Sequence, residues 1–263
     1  MLNYPDISPV ALSIGPLQIH WYGIMYLLGF GMAWGLARLQ VKQQNLPWTK
    51  AEISDLIFYA ALGVVIGGRL GYMLFYDFAA WMKHPLLLLK IWEGGMSFHG
   101  GFLGVLCAVY LYSKKLKVPF LTLTDFIAPL VPLGLGAGRL GNFINGELWG
   151  RITSWPWGMV FPHVDPYPRH PSMLYEFFLE GLVLFACLWI YTKRPRLQGC
   201  PSGLFLIGYG SFRFLVEFLR QPDPEIGFLW HQWLTMGQLL SAPMVIFGII
   251  LMIRARKHKI VSR

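Results

Sequence analysis

The chain carries one polar block among apolar segments: Gly138-Arg139-Leu140-Gly141-Asn142-Phe143-Ile144-Asn145-Gly146-Glu147-Leu148-Trp149-Gly150-Arg151. The block directly follows residues 126–137, which carry no charge. An arginine at the end of such a segment is costly in lipid, so it usually has a partner or a function. Two asparagines, a glutamate and a second arginine follow within about three helical turns. The block therefore predicts a functional site at the edge of a membrane.

The composition agrees with a membrane protein. Of the 263 residues, 55% are hydrophobic and only 13% are charged, whereas soluble domains carry about 25% charged residues. The net charge of +9 could suggest a nucleic-acid partner. The basic residues instead cluster in short loops between apolar segments, as membrane topology requires. We expect an all-α polytopic membrane protein with one integral domain, residues 1–263, which includes an outer cap at 142–172.

Seven apolar segments are long enough, or nearly long enough, to span a bilayer as helices. They lie near residues 18–37, 53–76, 97–113, 122–140, 173–191, 203–220 and 235–253. Basic residues follow the first, third, fifth and seventh segments: Arg38, Lys42, Lys50, Lys114, Lys115, Lys117, Lys193, Arg194, Arg196, Arg254, Arg256, Lys257, Lys259 and Arg263. The positive-inside rule then predicts an outer N-terminus and a cytoplasmic C-terminus. Between the second and third segments, residues 81–92 predict a helix along the outer interface.

This topology gathers polar residues in one layer at the outer face. Arg69, Arg139 and Arg213 lie towards the outer ends of the second, fourth and sixth segments, and Tyr22 and His99 start the first and third. The other polar residues of this layer are Asn142, Asn145, Glu147, Arg151, Glu217 and Arg220. Arginine binds phosphate through two parallel hydrogen bonds and stays charged. We therefore expect a site that binds an anion at the depth of a phospholipid head group.

The same residues have a purely structural interpretation. Each arginine could reach water with its guanidinium or pair with Glu147 or Glu217. Gly136, Gly138 and Gly141 match the spacing GxGxxG, but outside a βαβ unit such glycines fit close helix packing better. The histidines and the three cysteines show no metal-ligand spacing, so no metal or other cofactor is predicted.

Six motifs carry a resemblance that covers nearly the whole chain. They are His20-Trp21-Tyr22-Gly23, Gly67-Gly68-Arg69-Leu70-Gly71-Tyr72, Ser97-Phe98-His99-Gly100-Gly101, Gly138 through Glu147, Arg169-His170-Pro171-Ser172, and Tyr209-Gly210 with Arg213 through Asp223. On these motifs the chain closely resembles the bacterial prolipoprotein diacylglyceryl transferases.

The resemblance implies a transferase of the bacterial plasma membrane with its active site at the outer leaflet. Such an enzyme moves the diacylglyceryl group of phosphatidylglycerol onto the lipobox cysteine of an exported prolipoprotein, the first step of lipoprotein maturation. A thioether forms and glycerol phosphate leaves. The functional positions that the resemblance implies are Tyr22, His99, Arg139, Asn142, Glu147, Gly150 and Arg213. Glu217 and Arg220 lie within the same matched segment.

Roles follow from the chemistry that the resemblance implies. In this reaction sulfur attacks carbon, so the phosphate departs intact. Negative charge grows on the departing phosphate and needs hydrogen-bond donors to stabilise it. We assign this role to Arg139 and Arg213. His99 is the best candidate for the thiol proton, although an arginine-lowered thiol pKa would remove the need for a base. Glu147 could orient Arg139 or the amides. The expected substrate-binding residues are Tyr22, Arg69, Asn142, Asn145, Glu147, Gly150, Glu217 and Arg220.

A transporter or scramblase for anionic lipids is the alternative function. It would use the same arginines to bind and release its cargo. Transporters usually place polar residues at mid-membrane and interrupt helices in both halves of the chain. The polar layer predicted here is one-sided, which favours an enzyme at the interface.

Overall fold

The computed structural model describes residues 2–5, 7–15, 17–222, 227–258 and 261–262. Asp223, Lys259 and Arg263, which the sequence analysis names, lie outside these ranges. Helices dominate: α1 Trp21–Gln44, α2 Lys50–Phe75, α3 Phe78–Lys83, α4 Phe98–Leu116, α5 Phe120–Ile127, α6 Val131–Ile144, α7 Ser172–Glu176, α8 Leu184–Thr192, α9 Cys200–Val216 and α10 Met236–His258. The protein is an all-α polytopic membrane protein, as predicted.

Packing divides the chain into two compact units. Unit 1 comprises Met1–Leu36 and Asp125–Arg263, and unit 2 comprises Ala37–Thr124. The boundaries fall inside α1 and α5. The single integral domain 1–263 stays a prediction.

The predicted membrane segments all coincide with helices, but not all of these helices are long enough to span a membrane by themselves. Within the described ranges, four continuous helical segments are long and apolar enough: Trp21–Gln44, Lys50–Phe75, Ser172–Thr192 and Met236–Lys257. The bent pair α5–α6 raises the number to five if it forms one span, and α9 is a shorter apolar helix. The count of seven crossings therefore stays a prediction.

Prolines break two segments that the sequence analysis treats as continuous. The segment 122–140 is two helices, α5 and α6, bent by 52°, because Pro129 and Pro132 cannot donate the backbone hydrogen bonds of a continuous helix. The segment 81–92 is not one interfacial helix. Helix α3 ends at Lys83, and the chain continues as two 3-10 turns, Pro85–Leu89 and Ile91–Glu93. The helix ends there because the residue before a proline, here Pro85, is disfavoured in helical conformation.

Helix α2, in unit 2, begins at a capping box. The Thr49 side chain accepts a hydrogen bond from the Glu52 amide, and the Glu52 side chain accepts one from the Thr49 amide.

Glycines set the helix contacts of unit 2. Further along α2, a Cβ atom added at Gly67 would lie 2.3 Å from the carbonyl oxygen of Gly100 in α4. Without side chains the two backbones touch, which is the usual way in which glycines bring membrane helices together.

Glycines also bring the helices of unit 1 together. A Cβ at Gly136 of α6 would lie 3.1 Å from Cα of Gly181, and one at Gly141 would lie 2.8 Å from Cδ2 of Tyr22. A Cβ at Gly138 would meet nothing within 4 Å. The packing interpretation of the GxGxxG spacing is therefore confirmed for Gly136 and Gly141.

Short strands join the segment between α6 and α7 to the N-terminus. β1 (Leu2–Asn3), β4 (Met159–Val160) and β5 (Pro168–Arg169) form a sheet in the order β1-β4-β5. The other strands are β2 (Val10–Ile14) paired with β3 (Leu17–His20), and β6 (Arg196–Leu197) paired with β7 (Val261–Ser262). α6 itself continues to Ile144, so Asn142 is helical rather than part of the predicted cap.

The N-terminal segment also fixes the end of α6. The Tyr4 hydroxyl lies 2.9 Å from the carbonyl oxygen of Phe143 and 2.7 Å from that of Ile144, and it can donate to either. Its ring packs in a small core with Met159, Phe161 and Met173. Carbonyls at a helix end have no partner within the helix, so Tyr4 caps the helix that carries the polar block.

Candidate active site

Arg139 is held by two glutamates that the sequence analysis does not name. Its Nε lies 2.7 Å from Oε2 of Glu176, and its Nη2 lies 3.5 Å from Oε2 of Glu180. The side chains of Glu176 and Glu180 are 1% and 0% exposed, against 20% for Arg139. An arginine and carboxylates removed from water in this way need one another, since an unpaired buried charge is very costly.

Arg213 shares one of these glutamates. Its Nη1 lies 2.5 Å from Oε1 of Glu176, and its Nη2 lies 2.8 Å from Oε2 of Glu217, the C-terminal cap of α9. The Glu176 carboxylate therefore bridges Arg139 and Arg213, one oxygen to each. Two guanidiniums that share one carboxylate repel each other, and the carboxylate between them offsets the repulsion.

Arg220 completes a network of alternating charges. Its Nη1 lies 3.8 Å from Oε2 of Glu217. We call the six residues Arg139, Arg213, Arg220, Glu176, Glu180 and Glu217 the arginine–glutamate cluster. The structural interpretation, in which an arginine pairs with Glu217, holds for Arg213. It does not hold for Arg139, whose partners are on another helix.

The sequence carries a signal that points to Glu176 and Glu180. They are the charged residues of the predicted span 173–191, and carboxylates inside a span are costly unless paired. Their helix also departs from α geometry, because Phe177–Val183 forms a π-helical segment between α7 and α8. Departures from α-helical to π-helical geometry are frequent at functional sites. The sequence pattern of this span does not reveal the π-helical segment.

Glu147 orients the amides rather than Arg139. Its Oε1 accepts from Nδ2 of Asn142 at 2.8 Å and from Nδ2 of Asn145 at 3.1 Å. The turn between them requires Gly146, which has φ +67°. Of the two partners expected for Glu147, the structure shows the asparagine pair, which fixes where the two amides point.

Gly150 is a position where a side chain would not fit. A Cβ there would lie 2.6 Å from each of the carbonyl oxygens of His170 and Leu219. Its amide donates to the His170 carbonyl at 2.7 Å, and its own carbonyl accepts from Nη1 of Arg169 at 3.1 Å. Gly150 therefore joins the predicted cap to the segment after α9 through backbone contacts.

Two further arginines support this junction. Arg151 donates from Nε to the Arg220 carbonyl at 3.1 Å and from Nη2 to the Glu217 carbonyl at 3.4 Å, so it caps the end of α9. Arg169 bonds to Asp165, and this hydrogen bonding lowers the pKa of the Asp165 carboxyl below its ordinary value.

Tyr22 belongs to unit 1 with the cluster. Its ring packs on Gly141, one turn before Asn145 in the polar block. Its hydroxyl lies 3.5 Å from that of Tyr26. Tyr22, Asn142, Asn145, Glu147, Gly150, Glu217 and Arg220 thus all belong to unit 1 with Arg139 and Arg213.

Arg69 and His99 belong to unit 2. Arg69 is buried and donates to the carbonyl oxygens of Leu87 at 2.5 Å, Leu88 at 3.3 Å and Gly95 at 3.1 Å, with a further bond to Gly94. It therefore ties the connection after α3 to α2, and its assignment to substrate stays a prediction. His99 is exposed in the first turn of α4. Within the described ranges, no group of three or more His, Cys, Asp or Glu residues could hold a metal ion.

Fold and cluster together define a polytopic membrane protein built around buried, paired arginines. A model of the family described as prolipoprotein diacylglyceryl transferase matches residues 9–254, and the chain belongs to this family. The phosphatidylglycerol–prolipoprotein diacylglyceryl transferase of Legionella pneumophila (strain Lens) is 61% identical over 249 residues, which cover 95% of this chain and 97% of the relative. Its counterpart in Coxiella burnetii (strain RSA 331 / Henzerling II) is 56% identical over 259 residues, 98% and 99% of the two chains.

Replacing the bridging carboxylate should destabilise the fold. Glu176→Gln keeps the size of the side chain but leaves two buried guanidiniums without their shared counterion, which should cost about 3 kcal/mol of unfolding free energy. Asp55→Asn is the matched control, because Asp55 pairs with Lys115 at 3.3 Å on the surface, and such pairs contribute less than about 1 kcal/mol. Unfolding in detergent measures both variants. Equal loss of stability in the two would show that the bridge does not hold the cluster together.

Proposed function

We propose that the chain transfers the diacylglyceryl group of phosphatidylglycerol to the lipobox cysteine of prolipoproteins. The substrates are those named for its relatives in Legionella pneumophila and Coxiella burnetii. The observation that carries the proposal is the bridge of Glu176 between Arg139 and Arg213. It holds two guanidiniums together within one unit, as a phosphate leaving group requires.

The reaction is a substitution at carbon. The cysteine sulfur attacks the glycerol carbon that bears the phosphodiester, and a C–S bond forms as the C–O bond breaks. The electron pair of the C–O bond goes to the phosphate oxygen, so glycerol phosphate leaves with one more negative charge than the diester had. The thiol must lose its proton, because thiolate is the nucleophile.

The cluster matches this growth of charge. In the described part of the chain, Nη1 of Arg139 and Nε of Arg213 have no ion-pair or hydrogen-bond partner, while their other nitrogens bind carboxylates. The carboxylates fix the side chains and leave these donors for phosphate. Donors fixed in advance need no reorganisation as the charge develops. We assign Arg139 and Arg213 to the leaving phosphate on this ground.

The other expected residues are assigned around the two arginines. The lipid head group would bind to the hydrogen-bonded group formed by Asn142, Asn145 and Glu147. Tyr22 of α1 packs against α6 next to this group. Gly150, Glu217 and Arg220 shape the junction of the cap with α9. Arg69 is proposed to bind substrate because of the position of its motif. His99 is proposed to accept the thiol proton, because imidazole exchanges protons readily near neutral pH.

The transporter or scramblase is the other candidate class. Buried arginines that bind phosphate would serve it equally. The names of the relatives are those of transferases and favour the enzyme. We further propose the plasma membrane as the location, with the active site at the outer leaflet, on the basis of the basic residues that follow alternate apolar segments.

The reaction products test the proposed function. Purified protein, phosphatidylglycerol vesicles and a lipobox peptide should yield a thioether-linked diacylglyceryl peptide and glycerol phosphate, seen by mass spectrometry. EDTA should leave the rate unchanged, because neither proposed step uses a metal. Diacylglycerol should not replace phosphatidylglycerol, since it lacks the leaving group. Lipid movement between leaflets without a peptide product would favour the scramblase instead.

His99→Gln tests the base assignment. Glutamine keeps a hydrogen-bonding side chain but cannot take up a proton near neutral pH, so kcat should fall about 100-fold or more. His84→Gln is the matched control, because His84 is exposed in the same unit and no role is assigned to it. A variant at His99 with the wild-type rate from pH 6 to pH 8 would remove the base from the mechanism.

Labelling in intact cells tests the orientation. In a chain without native cysteines, Asn3→Cys should react with a membrane-impermeant maleimide, because the basic residues predict an outer N-terminus. Ser262→Cys should react only after the cells are opened. The reverse pattern would place the arginine–glutamate cluster at the inner leaflet and exclude an outer active site.

A further inference from the structure

Gly237 lies against a carboxylate of the arginine–glutamate cluster. It is in the first turn of α10, and a Cβ added there would lie 2.6 Å from Cδ of Glu217 and 2.7 and 2.8 Å from its two carboxylate oxygens. These distances are shorter than van der Waals contact. The Glu217 carboxylate therefore rests on the backbone of α10, in space that any side chain at position 237 would fill.

This contact is one of a series along the packing of α9 on α10. Gly203 and Gly210 of α9 and Glu217 at its C-terminal cap follow one another at intervals of seven residues, or about two helical turns, so they share a face. A Cβ at Gly203 would lie 2.8 Å from the carbonyl oxygen of Gly248, and one at Gly210 would lie 3.0 Å from another backbone oxygen of α10. The first two positions bring the backbones together. The third places a glutamate where only Gly237 leaves room.

Glu217 in turn determines where Arg213 points. Its Oε2 binds Nη2 of Arg213 at 2.8 Å, and Arg220 approaches the same oxygen at 3.8 Å. The glutamate side chain is 3% exposed, so its charge depends on these arginines rather than on water. Arg213 is thus held between Glu217 on one side and Glu176 on the other.

We propose that Gly237 is a positioning residue of the transferase. Because it has no side chain, the Glu217 carboxylate can sit against α10 and hold the Arg213 guanidinium in the orientation that the leaving phosphate needs. This inference rests on the proposed function, and it adds a residue that touches neither substrate nor the reacting atoms.

The effect of a side chain at position 237 on Arg213 can be distinguished from an effect on the stability of the fold, because the atoms that it would meet are different from those at Gly210. A methyl group at Gly237 would meet the far end of a flexible glutamate, which can shift within the cluster and still face the arginines while the helices stay in place. A methyl group at Gly210 would meet Cγ2 of Val245 at 2.9 Å and a backbone oxygen of α10 at 3.0 Å, and the backbone cannot move away without separating the helices. Gly237→Ala should therefore disturb Arg213 and leave the fold intact, and Gly210→Ala should weaken the fold.

Three alanine variants test the proposal in the phosphatidylglycerol and lipobox-peptide assay. Gly237→Ala should lower kcat/KM about tenfold or more, with a Tm within about 2 °C of wild type. Gly210→Ala should lower the Tm clearly. Gly31→Ala is the matched control, because Gly31 is in helix α1 with nothing within 4 Å of an added Cβ, and it should change neither quantity. A wild-type rate for Gly237→Ala, or a loss of rate that only follows a fall in Tm, would overturn the positioning role.

A second background shows whether Gly237 acts through Glu217. Aspartate is shorter by one methylene, so in Glu217→Asp the carboxylate no longer reaches position 237. Gly237→Ala should then lower kcat/KM less than about twofold in the Glu217→Asp background, because coupled residues are not additive. An equal loss in both backgrounds would contradict the proposal. Absence of thioether product from the wild-type chain would count against the proposed function instead, so the two failures are distinguishable.

Discussion

The carboxylate of Glu176 is the constraint on which the site depends. Two guanidiniums removed from water can share a small volume only if a negative charge lies between them, and Glu176 bonds to Arg139 with one oxygen and to Arg213 with the other. This requires α6, α7 and α9 to meet. The contact of Gly136 with Gly181 brings α6 to the π-helical segment, and so places Arg139 within reach of both Glu176 and Glu180. Helix packing and charge pairing therefore depend on each other.

The cluster shows how buried arginines in a membrane protein can be paired and still keep donors for the phosphate that we propose they bind. An unpaired arginine in a span would be expensive, and one bonded on every nitrogen would have no donor left. The carboxylates hold part of each guanidinium and fix its direction. Glu217 adds a second restraint on Arg213, and its own place depends on Gly237. The small residues at these contacts thus shape the arginine–glutamate cluster as well as the packing.

Two arginines in the same local motif have different partners. Gly68-Arg69-Leu70-Gly71 and Gly138-Arg139-Leu140-Gly141 are identical in sequence. Arg69 nevertheless donates to backbone carbonyls of the connection after α3, while Arg139 binds carboxylates from another helix. Local sequence sets the helix and the position of each arginine on it. The partner depends on which segment packs against that face.

The sequence alone determined the membrane class, the helical segments and the polar block, because each depends on composition or on residues close in the chain. The spacing of Arg213, Glu217 and Arg220 also predicts that they are neighbours, because residues three and four apart lie side by side on a helix. Three features depend on the tertiary structure: Glu147 binds asparagines, Glu176 and Glu180 hold Arg139, and α5 and α6 are bent at prolines by 52°. These contacts join residues on different helices, or depend on the direction in which a broken helix continues. No local pattern contains that information, because long-range packing selects one partner among several charges of the right sign.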